Sequence, residues 1–132
     1  MAGALARYRP VTALTLSVDT SPEDAAQAIQ AGSQADVIVL GTRAATLYTG
    51  QADVVGAVLK LGKPTVVVAL RTPYDLLAFP DAPAYLCAYG DTPAPLAAAA
   101  RVLVGDLAPQ GMLPVSLPGL YPRGYGLHRR PT

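Results

Sequence analysis

Acid–base chemistry in this chain would fall to its nine carboxylates, because histidine and cysteine each occur once, at His128 and Cys87. The acids are Asp19, Glu23, Asp24, Asp36, Asp53, Asp75, Asp81, Asp91 and Asp106. A catalytic carboxyl must stand within hydrogen-bond reach of the reacting group, so each is weighed by its place in the chain. Asp24 follows Ser21, Pro22 and Glu23 and reads as part of a helix cap. Asp36 precedes an apolar run and reads as strand entry, and Asp91, before Thr92 and Pro93, reads as a turn into a helix. Asp75 alone stands in a loop where a ligand is expected, and there a turn or helix-capping role is favoured over catalysis. Arg71 and Tyr74 share that loop, and Thr42 and Arg43 occupy the neighbouring one. Arginine with tyrosine suits contacts to a ligand's hydroxyl or amide groups, or to an adjoining domain. An equally weighted reading pairs Arg71 with Asp75 to fix the loop.

Other chemistries find little support. Cys87 lies within the apolar residues 84–88, which suits a small buried side chain better than a nucleophile. A single cysteine excludes an internal disulfide framework and fits a reducing compartment. His128, beside Arg129 and Arg130, reads as a solvated terminus, so no metal site is expected. The net charge of +1 and pI near 7.9 give no basic footprint for nucleic acid. No stretch reaches the ~18 apolar residues of a membrane span, and residues 1–9 hold no long apolar signal core. A cytoplasmic location is therefore expected, without nucleic-acid or membrane partners. Gly41, Gly50, Gly62 and Gly90 form no phosphate-binding fingerprint, so no cofactor is expected, and a nucleotide-binding reading would rest on fold analogy alone.

The elements that would position these residues alternate in type. The chain's 132 residues suit one domain, and 52% hydrophobic against 14% charged residues can fill a two-sided core. Residues 11–18 alternate and are β-branched, which predicts a strand. Ser21, Pro22 and the following acids open a helix with Ala25, Ala28 and Ile29 on one face, stopping near Gly32. Residues 37–40 are continuously apolar, as a strand buried on both faces requires. A helix follows over residues 51–61, with Gly62 as its stop, then an apolar strand over 65–70 and a short turn or helix from Pro73. Residues 84–89 predict a shorter strand, and Thr92-Pro93 opens an alanine-rich helix with Leu96, Ala99, Ala100 and Leu103 inward. Residues 111–118 form an extended run that includes Pro114, hence an edge strand. The pattern predicts an α/β fold: a mainly parallel sheet of about five strands, flanked by helices on both faces in a flavodoxin-like, doubly wound sandwich. The domain spans residues 1–118, and residues 119–132 form an irregular tail along a surface or partner. Ligands of such sheets meet the loops at the carboxyl ends of the strands, here residues 41–50, 71–75 and 90–92.

Several segments in order resemble the C-terminal α/β domain of family 3 glycoside hydrolases, which follows a catalytic (β/α)₈ barrel. They are Ala35-Asp36-Val37-Ile38-Val39-Leu40-Gly41, Gly62-Lys63-Pro64-Thr65-Val66-Val67-Val68 and Arg71-Thr72-Pro73-Tyr74-Asp75-Leu76. Ala84-Tyr85-Leu86 through Tyr89-Gly90, Val102-Leu103-Val104-Gly105 and the family-specific Gly111-Met112-Leu113-Pro114-Val115-Ser116 complete the set. The closing residues 120–127 also resemble the end of that domain.

The resemblance implies a role and two absences. In the β-glucosidase branch this domain supplies an acid/base glutamate from the loop after the strand at residues 37–40. Here Gly41-Thr42-Arg43 follows, and a threonine hydroxyl cannot replace a carboxylic acid as proton donor. The chain therefore resembles the β-N-acetylhexosaminidase branch, whose acid/base pair and nucleophile belong to the barrel. Its implied function is that of a non-catalytic domain, inactive alone, of an enzyme hydrolysing terminal N-acetylglucosaminides, with no catalytic residue of its own. Thr42, Arg43, Arg71, Tyr74 and Asp75 are the candidates to touch substrate or barrel. The resemblance also implies that the family's first strand is missing, with residues 2–9 as the last turns of the helix after it. The gap would lie between residues 11–18 and 37–40, and unpaired edges invite association. A homo-oligomer, direct pairing of those two strands or a partner chain is expected. A free-standing flavodoxin-like module binding a small ligand or a protein is the alternative.

Overall fold

Each helix start is written locally. In the computed structural model, which describes residues 1–127, Ser21 caps helix α2 (Pro22–Ser33). Its Oγ accepts from the Asp24 amide at 3.2 Å, while Asp24 Oδ2 accepts from the Ser21 amide at 2.9 Å. This reciprocal box satisfies two amides that the helix cannot pair itself. At the other end, Lys63 Nζ donates to the carbonyls of Ser33 and Ala35, both at 2.6 Å, placing a cation at the negative pole of the helix. A short helix α1 (Ala2–Leu5) precedes α2, and helices α3 (Gly50–Leu59) and α4 (Pro93–Leu103) follow. Gly62, just past α3, takes φ +72°, a left-handed stop of the kind glycine provides at helix ends. Gly32 lies inside α2 rather than past its end. A Cβ there would stand 2.9 Å from Leu61 Cδ1, so the glycine serves close approach instead of termination.

The sheet has three parallel strands, β1 (Ile38–Thr42), β2 (Thr65–Ala69) and β3 (Tyr85–Cys87), in the order β1-β2-β3. The register aligns Thr42 with Ala69 and Ala69 with Cys87, so the three strands finish level. Val54, Val55 and Val58 of α3 join clusters that include Ile38, Leu40 and Val67, and α2 packs beside α3 through Ala25 and Ala28. Val55, Val58 and Val67 are almost wholly buried, and each contributes about 1.5–3 kcal/mol by leaving water.

The expected five strands are corrected to three. Residues 11–18 run extended but form no ladder, and Val11 and Leu14 stay exposed. Only Leu16 reaches the core, against the cluster of Ala28 and Ile38. Alternation supplies a side-chain pattern, whereas a strand also needs a neighbour for its backbone groups, and β1 does not pair with this segment directly. Residues 111–118 are not an edge strand either. Pro114 and Pro118 lack amides, and the segment pairs with its own continuation instead. Leu113 N donates to Tyr125 O at 2.8 Å, Gly124 N to Leu113 O at 2.7 Å, and Leu117 N to Tyr121 O at 2.8 Å. An isolated bridge at Leu117 and Tyr121 is the only β pairing there among the described residues. This fold-back pins Leu117 into the core beside Val55, Val67 and Phe79. His128, Arg129 and Arg130 lie outside the described residues.

Candidate functional site

Because the strands finish level, the three loops that follow them share one end of the sheet. The β1 loop is shaped first by Gln51, a buried polar residue of α3. Its Oε1 accepts from the Arg43 amide at 2.9 Å, and its Nε2 donates to the Arg43 carbonyl at 2.8 Å. The side chain thus occupies both backbone groups of Arg43, as a neighbouring strand would. Ala44 then turns through φ +53° and points the Ala45 amide inward.

That amide meets Asp75. The Asp75 carboxylate is fully buried in the 3₁₀ turn Pro73–Ala78 that follows β2. Oδ1 accepts from Ala45 N at 3.0 Å and Oδ2 from Thr42 Oγ1 at 2.7 Å. Two donors from the β1 loop therefore tie it to the β2 loop. Tyr85 of β3 adds the third tether: its hydroxyl donates to Pro73 O at 2.9 Å and accepts from Leu76 N at 3.2 Å. Burial raises the Tyr85 phenol well above its ordinary range, with Cys87 and Asp75 nearby adding to the effect. Burial likewise pushes the Cys87 thiol up. Tyr89 is pushed up to about 12, again chiefly by burial, and stands at φ +58° beside Cys87.

On the solvent side the same loops converge a second time. Arg43 Nη2 lies 2.5 Å from Asp91 Oδ2, and Arg71 Nε lies 3.5 Å from the same oxygen. Each strand end contributes one member: Arg43 after β1, Arg71 after β2, Asp91 after β3. Tyr74, on the Arg71 loop, is exposed.

The five residues singled out by sequence thus divide. Thr42 and Asp75 face inward and hold each other; Arg43 and Arg71 face outward and share a carboxylate; Tyr74 stands at the surface. The pairing of Arg71 with Asp75 does not form, because the Asp75 carboxylate is engaged by Thr42 and Ala45 while Arg71 leans on Asp91. Nor does Asp75 cap its turn, since no side-chain cap bond forms there. Asp91, Gln51 and Tyr85 were not anticipated. Asp91 follows a strand directly through Gly90, the usual place for ligand contacts, and Gln51 is the polar exception on an apolar helix. Those were the available signals. The tether made by Tyr85 gave none.

Among the described residues, no group of three His, Cys, Asp or Glu side chains could hold a metal ion, and no helix is long and apolar enough to cross a membrane. Of the two carboxylates in these strand-end loops, Asp75 is sealed from solvent and Asp91 is engaged by two guanidiniums. Glycoside hydrolysis needs a pair of accessible carboxyls about 5–10 Å apart, and these two do not supply it.

Comparison with curated proteins finds no match. Two solved structures are similar. A family 3 β-N-acetylglucosaminidase from Paenibacillus sp. str. FPU-7 aligns at a TM-score of 0.83 with 29% identity, over 88% of this chain and 22% of its own. A fungal multi-domain family 3 β-N-acetylglucosaminidase, which has a GCN5-related glucosamine N-acetyltransferase region, aligns at 0.68 with 35% identity, over 74% of this chain and 12% of its own. The chain therefore spans under a quarter of either enzyme. The model of the glycosyl hydrolase family 3 C-terminal domain matches residues 4–126. The chain belongs to that family, as its C-terminal α/β domain.

Proposed function

We propose that this domain is the non-catalytic part of a β-N-acetylglucosaminidase-type enzyme, turning its strand-end loops toward the barrel that carries the chemistry. The observation that carries the reading is the state of the loop carboxylates. Asp75 is consumed as a structural tie and Asp91 as the centre of an arginine pair, so neither is available as nucleophile or proton donor. Thr42, where a proton-donating carboxyl would be needed, spends its hydroxyl on Asp75. Both similar structures are β-N-acetylglucosaminidases several times longer than this chain, which supports a barrel-bearing partner. Arg43, Arg71 and Tyr74 are then the residues placed to meet substrate or barrel.

Purified alone, the chain is expected to release no aglycone from an aryl N-acetylglucosaminide. Measurable turnover by the chain itself would overturn the non-catalytic assignment. In a barrel-bearing enzyme that includes this domain, Arg71→Ala is expected to change KM or turnover. Unchanged values for both would remove the contact role.

A further inference from the structure

The Arg43–Asp91–Arg71 cluster is unbalanced in charge at the surface. Two guanidiniums face one carboxylate, while Asp75 is turned inward onto Thr42 and Ala45. Arg43 holds Asp91 closely, but Arg71 reaches it only at 3.5 Å and its side chain is 61% exposed. So loose a contact in water is readily exchanged for another acceptor. Arg43 Nε is also buried without an acceptor, an uncommon state that marks a site short of its full set of partners. Each of the three loops adds an exposed tyrosine: Tyr48 after β1, Tyr74 after β2 and Tyr89 after β3. Tyr89 keeps its place at positive φ, which an L-residue adopts at some cost.

Guanidinium forks bind carboxylates through paired, charge-assisted hydrogen bonds. Tyrosine offers an apolar ring face with a polar tip, suited to the apolar face and hydroxyls of a pyranose. We propose that these loops form a subsite for a carboxylate-bearing sugar, with Arg71 and Arg43 taking the carboxylate and Tyr74 and Tyr89 meeting the ring. This rests on the reading that this end of the domain faces carbohydrate, and it adds the class of sugar. A neutral sugar would leave the arginine pair with Asp91 alone, and a bare anion would gain nothing from the tyrosines.

The test is titration of the 132-residue chain with D-glucuronate, D-glucose and inorganic phosphate, followed by calorimetry and amide NMR shifts. Glucuronate is expected to bind about tenfold or more tighter than either probe, and to weaken as salt is raised. Arg71→Ala, at an exposed position, should erase the preference for glucuronate over glucose. Asp91→Asn removes the internal competitor and should tighten glucuronate binding severalfold, whereas a purely structural Asp91 would give the opposite. Glucuronate binding no tighter than glucose overturns the subsite. Phosphate binding as tight as glucuronate reduces it to an anion site, and unchanged or weaker binding by Asp91→Asn also overturns it. Turnover of the aryl N-acetylglucosaminide by the chain alone is a separate readout, so failure of the non-catalytic assignment is distinguishable from failure of the subsite.

Discussion

Asp75 and Asp91 stand in adjacent loops at one end of one sheet, yet they meet opposite physical conditions. Asp75 is out of water and accepts from two neutral donors, Thr42 Oγ1 and the Ala45 amide. Asp91 remains partly exposed and is approached by two guanidiniums. The ion pairs look stronger on paper, but water and salt screen them, and exposed pairs are typically worth about 0–1 kcal/mol. A buried carboxylate is different: each donor removed leaves a desolvated group unpaired, at about 1–3 kcal/mol or more when charged. The difference teaches that the inner aspartate holds the loops in place and the outer one leaves its arginines available.

The largest effect is therefore expected at Asp75. Asp75→Ala orphans the Thr42 hydroxyl and the Ala45 amide together and should cost about 3 kcal/mol or more in urea denaturation. A loss below about 1 kcal/mol would erase the contrast with Asp91. Thr42→Val keeps the volume of the side chain but removes its hydroxyl, leaving Asp75 Oδ2 without its donor while Ala45 still serves Oδ1. A smaller loss, about 1–3 kcal/mol, is expected by the same measurement.

The inner layer also predicts a direction with pH. Tyr85, Cys87 and Tyr89 all have folded pKa values raised above their ordinary values, chiefly by burial. In each case the folded state retains its proton after the unfolded chain has lost it. Their contribution is fully present below the ordinary pKa and is lost as pH rises toward the folded value. For Tyr89 that window runs from 10.0 to about 12. Tyr89 is half exposed, so its share is the weakest, and Tyr85→Phe should flatten the alkaline decline more than Tyr89→Phe does. Denaturant midpoints measured against pH, with phenolate absorbance as a second probe, check this ordering.

The two layers were unequally legible in the sequence. The helix starts could be read because Ser21, Pro22 and Asp24 satisfy their own backbone groups within four residues. The central strands could be read because only burial on both faces explains runs such as Val66-Val67-Val68. What failed was pairing, which residues 11–18 illustrate: their alternation is sound, but nothing in it specifies a neighbour. The candidate loops were located correctly because they follow the strands, and Thr42, Arg43, Arg71, Tyr74 and Asp75 all lie there. Their partners were not legible. Asp75 meets Thr42 across 33 positions, and Asp91 meets Arg43 across a whole strand–turn–strand unit, so the choice between Asp75 and Asp91 for Arg71 rests on three-dimensional closure. Gln51 is a similar case, since its bonds to Arg43 depend on α3 lying over the end of β1.

The smallest expected effect is the sharpest test of the outer layer. In a double-mutant cycle, Arg43→Ala and Asp91→Ala should couple by only about 0.2–1 kcal/mol, despite a separation of 2.5 Å. Part of the Arg43→Ala loss would come from its stem leaving its packing rather than from charge, which is why the coupling, not the single-variant loss, is the quantity to read. Raising salt from about 0.1 to 1 M shortens the screening length from about 10 to 3 Å and should shrink the coupling further. The Thr42–Asp75 contact, buried and neutral on one side, should not respond to salt in the same way. Coupling above about 2 kcal/mol between Arg43 and Asp91, insensitive to salt, would make the outer cluster a second structural tie. Its arginines would then be committed to Asp91 and withheld from any ligand.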